Sequence, residues 1–158
     1  PALRAQLVPG LWGGVAGAAW LWLLSRLAPA ALQPSDPANA MPLAVKLLYG
    51  GITEELLMRW GVMTLLLWLG WRLLRRGHGQ PRNGLVATAV LFSAVLFAVG
   101  HLPAAQAMAG VLTMPVVAFV LVGNTVFGLL AGGLFARHGL EAAIIAHVLA
   151  HLLASPLL

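Results

Sequence analysis

Two adjacent carboxylates and a guanidinium in Glu54-Glu55-Leu56-Leu57-Met58-Arg59, a histidine closing Phe97-Ala98-Val99-Gly100-His101, and a histidine pair in His147-Val148-Leu149-Ala150-His151 are residue types that together can hydrolyse a bond. A carboxylate can take a proton from water, and a neighbouring imidazole can hold that carboxylate ionised. Each pattern lies in an otherwise apolar stretch. At membrane depth an ionisable side chain costs roughly 2.5–3.5 kcal/mol even on the lenient insertion scale, so these side chains must face one another inside a helix bundle.

On a helix Glu55 and Arg59 are about 40° apart around the axis and one turn apart along it, so they can pair, whereas Glu54 points roughly 100° away from Glu55. Glu55 is thereby tied up and Glu54 left free. A carboxylate in a low-dielectric cleft beside an imidazole is what a general base for water needs, which makes Glu54 with His101 the candidate pair. Two plainer readings stand beside it: both glutamates neutralising Arg59 in a structural network, and His101 capping a helix at the interface. His147 and His151 are i and i+4 and share one face, the spacing that serves Zn in HExxH helices. Here Val148 follows His147 and the glutamates lie on another helix. A metal site would need Glu54, His101 and His147 or His151 to converge on one ion, a reasonable N/O set for Zn.

The elements that must position these groups follow from composition. The chain is 61% hydrophobic and 8% charged, with a mean hydropathy of +0.93, far from the roughly 25% charged residues of soluble domains. It reads as an integral, multi-pass membrane protein of one domain spanning 1–158, its motif-bearing core at about 43–153. The first residue is Pro rather than Met and no signal peptide precedes the first apolar segment, so an N-terminally incomplete chain is expected. The absence of Cys excludes disulfides and thiolate metal sites.

Five apolar stretches predict an all-α polytopic bundle of about five spans around a polar intramembrane cavity. The first, about 9–27, carries Gly10, Gly13, Gly14 and Gly17, whose small-xxx-small spacing lets a neighbouring backbone come close. Residues 28–42 hold Pro29, Pro34, Pro37 and Pro42 and read as a loop. The second stretch, 43–74, is too long for one upright span; it must tilt, protrude or break, with Gly50-Gly51 and Gly61 as the weak points. The third, 85–102, is expected to end at Pro103; the fourth, 114–136, at Arg137-His138-Gly139; the fifth, 140–153, holds the histidine pair. The second, third and fifth should form the cavity.

The net charge of +5 comes from nine Lys/Arg against four Asp/Glu. Arg72, Arg75, Arg76 and Arg82 sit in one short hydrophilic gap, as the positive-inside bias expects of a cytoplasmic loop, and nucleic acid is not a partner on this reading. That orientation also puts Arg4 and Arg137 in the cytoplasm and 28–42 outside; Arg26 dissents. Glu54 precedes Arg72 by 18 residues and His101 follows Arg82 by 19, so each lies roughly 27–28 Å from the arginine loop at 1.5 Å per residue. The pair is expected toward the non-cytoplasmic face.

Taken together, EExxxR at Glu54–Arg59, FxxxH at Phe97–His101 and HxxxH at His147–His151, in that order and each on its own apolar helix, resemble the CPBP family, the CAAX proteases and bacteriocin-processing enzymes of the type II prenyl-endopeptidase kind. The resemblance covers about 43–153. It implies an intramembrane endopeptidase that cleaves a peptide or protein substrate, of the CAAX type or a leader or propeptide. It also implies that Glu54 and His101 activate the attacking water, that His147 and His151 steady the oxyanion, and that Glu55 and Arg59 support the first motif. The departure is His151, where many relatives carry Asn or Asp. The resemblance favours a glutamate-type mechanism with no cofactor; Zn held by Glu54, His101 and His147 is the alternative. It further implies access from the cytosol, which conflicts with the charge pattern. The plasma (inner) membrane is the expected site for a bacterial chain.

Asn124, midway along the fourth stretch, reads as a helix-packing hydrogen bond or a supporting cavity residue, and Glu141 as a carboxylate favoured by the N-terminal end of the last helix. Gly128 and Gly132 repeat the small-xxx-small pattern, and aromatic belts account for most of the six Trp. Two other classes of function fit the same residues: a non-catalytic scaffold or bacteriocin-immunity protein, and a proton-coupled transporter. The inverted repeats frequent in transporters are not seen.

Overall fold

All five apolar stretches are helical in the computed structural model, which describes residues 2–33, 41–74 and 76–155. Arg75 and residues 34–40, the middle of the proline-rich loop, lie outside them. No strand occurs among the described residues. Three helical segments, Arg4–Leu27, Asn83–Ala109 and Met114–His138, are long and apolar enough to cross a membrane.

The first helix, α1 (Ala2–Leu27), starts about two turns before the first apolar stretch and carries Pro9 inside it. Its four glycines seat the last helix, α7 (Leu140–Ala154). A Cβ at Gly10 would stand 2.9 Å from Ile145, at Gly14 2.6 Å from Leu149, and at Gly17 2.9 Å from Ala150. α7 answers with small residues: Ala142, Ala143, Ala146, Ala150 and Ala154 are fully buried. Lipid tails give no hydrophobic drive between helices, so this close backbone approach is where association energy comes from. Gln6 Nε2 donates to Glu141 Oε2 at 3.0 Å, adding a second role for that carboxylate beyond the helix end.

Of the three alternatives for the second stretch, a break at Gly50-Gly51 or Gly61 is not what occurs. Residues 43–74 form one continuous helical rod: α2 (Leu43–Val45), two wide-turn π segments at Lys46–Thr53 and Leu56–Met63, and α3 (Thr64–Leu74). In the wide turns the backbone N–H of Glu54 reaches Tyr49 O. The hydroxyls of Thr53 and Thr64 likewise donate to carbonyls five residues back, Leu48 O and Arg59 O, each at 3.1 Å. Packing more residues into each turn makes the rod shorter than the roughly 48 Å of an α-helix of that length. Gly50 and Gly51 are buried and serve as a seat for α7: a Cβ at Gly51 would lie 2.5 Å from Val148.

Pro103 also behaves differently from expectation. It does not end the third helix but stands in the first turn of another, so α4 (Asn83–Gly100) and α5 (Leu102–Ala109) meet at His101. Proline is tolerated there because first-turn N–H groups have no intrahelical partner. The fourth stretch is α6 (Met114–His138), two residues longer than predicted, ended by Gly139 at φ 94°. Gly128 and Gly132 receive α4 as expected, with Ala94 and Val90 where their Cβ atoms would be.

Trp12, Trp22, Trp60 and Trp68 are exposed on the apolar surface, as an aromatic belt requires. Two others act inside the fold: Trp20 Nε1 donates to Gly123 O at 2.9 Å and Trp71 Nε1 to Gly79 O at 2.8 Å.

Candidate active site

The helix joint at His101 is where local sequence becomes site geometry. Having no N–H, Pro103 cannot bond Val99 O, four residues back, and the backbone tightens: the His101 N–H is shared by Ala98 O and Val99 O. Phe97 O, its ordinary helical acceptor, is thereby released. The His101 ring takes it, with Nδ1 2.8 Å from Phe97 O. A carbonyl only accepts, so Nδ1 carries the proton and, in the neutral ring, Nε2 is the acceptor. That nitrogen faces Glu54, 3.9 Å from Oε1. The backbone carbonyl of residue 97 therefore fixes the histidine tautomer, and the Phe97 ring meets the His101 ring edge-on, centroids 4.6 Å apart.

Glu54 and Glu55 diverge as helical geometry predicts. Glu55 and Arg59 are fully buried and in contact, Arg59 Nε 3.0 Å from Glu55 Oε2. The approach is out of line for a hydrogen bond, and Arg59 Nη1 and Nη2 find no hydrogen-bond partner among the described residues. The Arg59 guanidinium instead lies 5.1 Å from the Phe97 ring centroid, a cation–π arrangement. The other oxygen of Glu55 holds His147: Nδ1 to Oε1 is 2.9 Å. A buried chain Arg59–Glu55–His147 thus runs behind the cavity and aims the His147 ring. His151 stacks on it, ring centroids 5.0 Å apart and 25° between planes. Gly50 makes room: a Cβ there would sit 3.1 Å from His151 Nε2 and 3.9 Å from Glu54 Oε2.

Glu54, His101, His147, His151 and Asn124 line one cavity of about 350 Å³. Among the described residues Asn124 makes no helix-to-helix hydrogen bond; its Nδ2 donates to Val120 O within α6 at 2.9 Å. The walls extend the expected three-helix set, since Leu21 and Leu24 of α1 and Gly123, Asn124 and Phe127 of α6 also contribute. Lys46 and Tyr49 line it too, and neither was singled out from sequence. Lys46 is four residues before Gly50 and eight before Glu54, a spacing that would have marked the same helical face. Met41, Lys46 and Ala104 place the cavity at the end of the bundle away from residues 74–83.

Among the described residues no group of three or more His, Asp or Glu is placed to hold one ion; of the alternative Zn set, Glu54 and His101 stand 3.9 Å apart and His147 Nδ1 is 2.9 Å from Glu55 Oε1.

An all-helical bundle with membrane-spanning apolar helices that brings carboxylate and imidazole to one cavity defines a class, that of polytopic membrane proteins. The family model for type II CAAX prenyl endopeptidase Rce1-like proteins matches residues 36–153, and the chain belongs to that family. No curated protein and no solved structure matches it. Family membership makes this a membrane protease, a hydrolase acting on a peptide or protein substrate at the bilayer.

Proposed function

We propose that the chain is an intramembrane endopeptidase in which a water held between Glu54 and His101 attacks the substrate carbonyl without a metal ion. The observation that carries this reading is the pair of acceptors facing each other across 3.9 Å, with His101 Nδ1 already committed to Phe97 O. A water donating to both at about 2.8 Å would subtend roughly 90°, close to its own H–O–H angle. Both hydrogens are then occupied and the oxygen lone pairs point away, toward a substrate. In the step itself the water oxygen bonds the carbonyl carbon, its proton passes to Glu54, and the carbonyl π pair moves onto oxygen. Collapse of the tetrahedral intermediate breaks the C–N bond, and the proton on Glu54 goes to the leaving amine.

His147 is the main oxyanion donor. Glu55 accepts from its Nδ1, which leaves Nε2 as the ring atom that would carry the donated proton to the developing charge. His151 is stacked 5.0 Å away. It assists as a second donor. Substrates are peptides with a CAAX-type carboxyl terminus, or leaders and propeptides presented at the membrane.

The test is turnover of a prenylated CAAX peptide by purified protein in nanodiscs, followed by mass spectrometry. Wild type should release product, and Glu54→Gln and His101→Ala should each lose at least about 10²-fold, the lower range for general base catalysis, with helical content unchanged. Retained turnover in Glu54→Gln would sink the assignment. No turnover by wild type would favour a scaffold, and proton flux across liposomes a transporter.

A further inference from the structure

The arginine loop closes the end of the bundle opposite the cavity that holds Glu54, and Trp71 keeps it in a defined shape. Trp71 Nε1 donates to Gly79 O at 2.8 Å and the Gly77 N–H reaches Trp71 O at 3.4 Å, a fold-back with positive φ at Arg76, Gly77 and Gly79. Gly70 lets the two helices that flank the loop meet: a Cβ there would stand 2.5 Å from Leu85. Between the last residue of α3 and the first turns of α4 lies a second cavity, a groove of about 390 Å³ walled by Leu74, Arg82, Gly84, Leu85 and Thr88. Its two ends differ in chemistry. Arg82, the residue before α4, is exposed, whereas Leu85 and Thr88 lie three and six residues further along the helix, about 4.5 and 9 Å toward the middle of the bundle. The Thr88 hydroxyl is bonded to Gly84 O at 2.8 Å, so below Arg82 the wall is apolar.

We propose that this groove binds an anionic phospholipid, with the phosphate on Arg82 and an acyl chain laid along Leu85 and Thr88. Charge decides the sign of the partner. Arg4, Arg72, Arg76, Arg82 and Arg137 stand at this end of the bundle against one described carboxylate, Glu141, which accepts from Gln6. Arg75, outside the described residues, can only add to the excess. The wall decides between a lipid and a free anion. An ion held by Arg82 alone has no use for an apolar groove that runs about 9 Å into the bundle, whereas an acyl chain fills it and covers Leu74, which is 77% exposed. The positive-inside bias puts this end at the cytoplasmic leaflet, the one with the negative surface potential, where basic pockets between helices hold anionic headgroups. The site is remote from Glu54 and independent of the peptidase reading.

The experiment reads bound lipid directly. The protein in detergent is mixed with equal amounts of phosphatidylglycerol and phosphatidylcholine of identical acyl chains, and native mass spectrometry counts each adduct in one spectrum. Phosphatidylglycerol should be retained at least about tenfold over phosphatidylcholine, ~1.4 kcal/mol. Arg82→Gln should lower that ratio about fivefold, ~1 kcal/mol for one arginine at a membrane surface, and Arg82→Lys should keep most of it. Arg26→Gln, which removes a cation at the other end of the bundle, should leave it unchanged. Thr88→Phe fills the groove from an exposed position without altering charge and should lower total bound lipid at least about fivefold. Inorganic phosphate in large excess should not displace the lipid. Because the ratio is read within one preparation, a partial loss of folding does not imitate the Arg82 result. Equal retention of the two lipids, a ratio unchanged in Arg82→Gln or lowered as much in Arg26→Gln, or bound lipid undiminished in Thr88→Phe overturns the proposal. Displacement by inorganic phosphate overturns it too, and reassigns the groove to a free anion.

Discussion

At the scale of single residues, adjacent glutamates in identical sequence context have separate duties because one backbone step turns them to different surroundings. Glu54 faces the cavity, and Glu55 is sealed between Arg59 and His147. Glu54→Gln should abolish turnover while leaving the unfolding midpoint nearly unchanged. Glu55→Gln should destabilise the bundle by about 3–5 kcal/mol, since it leaves Arg59 as an uncompensated buried charge; thermal unfolding in detergent distinguishes the two. The histidine pair divides in the same way. His147→Asn removes the ring that Glu55 aims and should cost at least about 10²-fold in kcat. His151→Asn keeps an N–H donor and should cost less than about tenfold. Equal losses in the two variants would show that the Glu55 contact has no catalytic consequence.

At the scale of elements, the histidine tautomer is set by a helix joint, which makes Pro103 a positioning residue. In Pro103→Ala the N–H at position 103 becomes available to Val99 O, the His101 N–H returns to Phe97 O, and the ring loses its acceptor. Turnover should fall with stability unchanged or raised, and the histidine ring signals in NMR should shift. Helix packing gives a paired prediction. A side chain at Gly128 would press on the backbone of Ala94 at 2.9 Å, whereas nothing lies within 4 Å of the corresponding position at Gly133. Gly128→Val should destabilise by about 1–3 kcal/mol, and Gly133→Ala should be neutral or stabilising by up to about 1 kcal/mol. Much of this was legible in sequence. The spacing of Gly10, Gly13, Gly14 and Gly17, and of Gly128 and Gly132, announced close packing, and the four-residue spacing of Glu55 and Arg59 announced their pairing. The π segments were not legible, because i→i+5 bonding carries no residue signature and the same glycines suit a break or a helix seat. The link from Glu55 to His147 joins residues that only tertiary packing brings together. Lys46 was passed over because its neighbours have no chemistry of their own.

At the scale of the molecule, the cavity sits at one end of the bundle and the arginine loop at the other. The positive-inside bias then directs the cavity away from the cytoplasm, and access to cytosolic prenylated tails would require the opposite. The native chain has no Cys to interfere with labelling. A Cys at Gln33 should react with an impermeant maleimide from outside intact cells, and one at Gln80 only after permeabilisation; the reverse pattern would invert the topology. The central claim, that Glu54 activates water rather than attacking the substrate itself, is open to one direct measurement. With enzyme in excess over a prenylated CAAX peptide in H₂¹⁸O, the first turnover should place one ¹⁸O in the new carboxylate and none in Glu54. A first product free of label, with one ¹⁸O in the Glu54 side chain after that same turnover, would mean that the carboxylate is the nucleophile and would contradict this account.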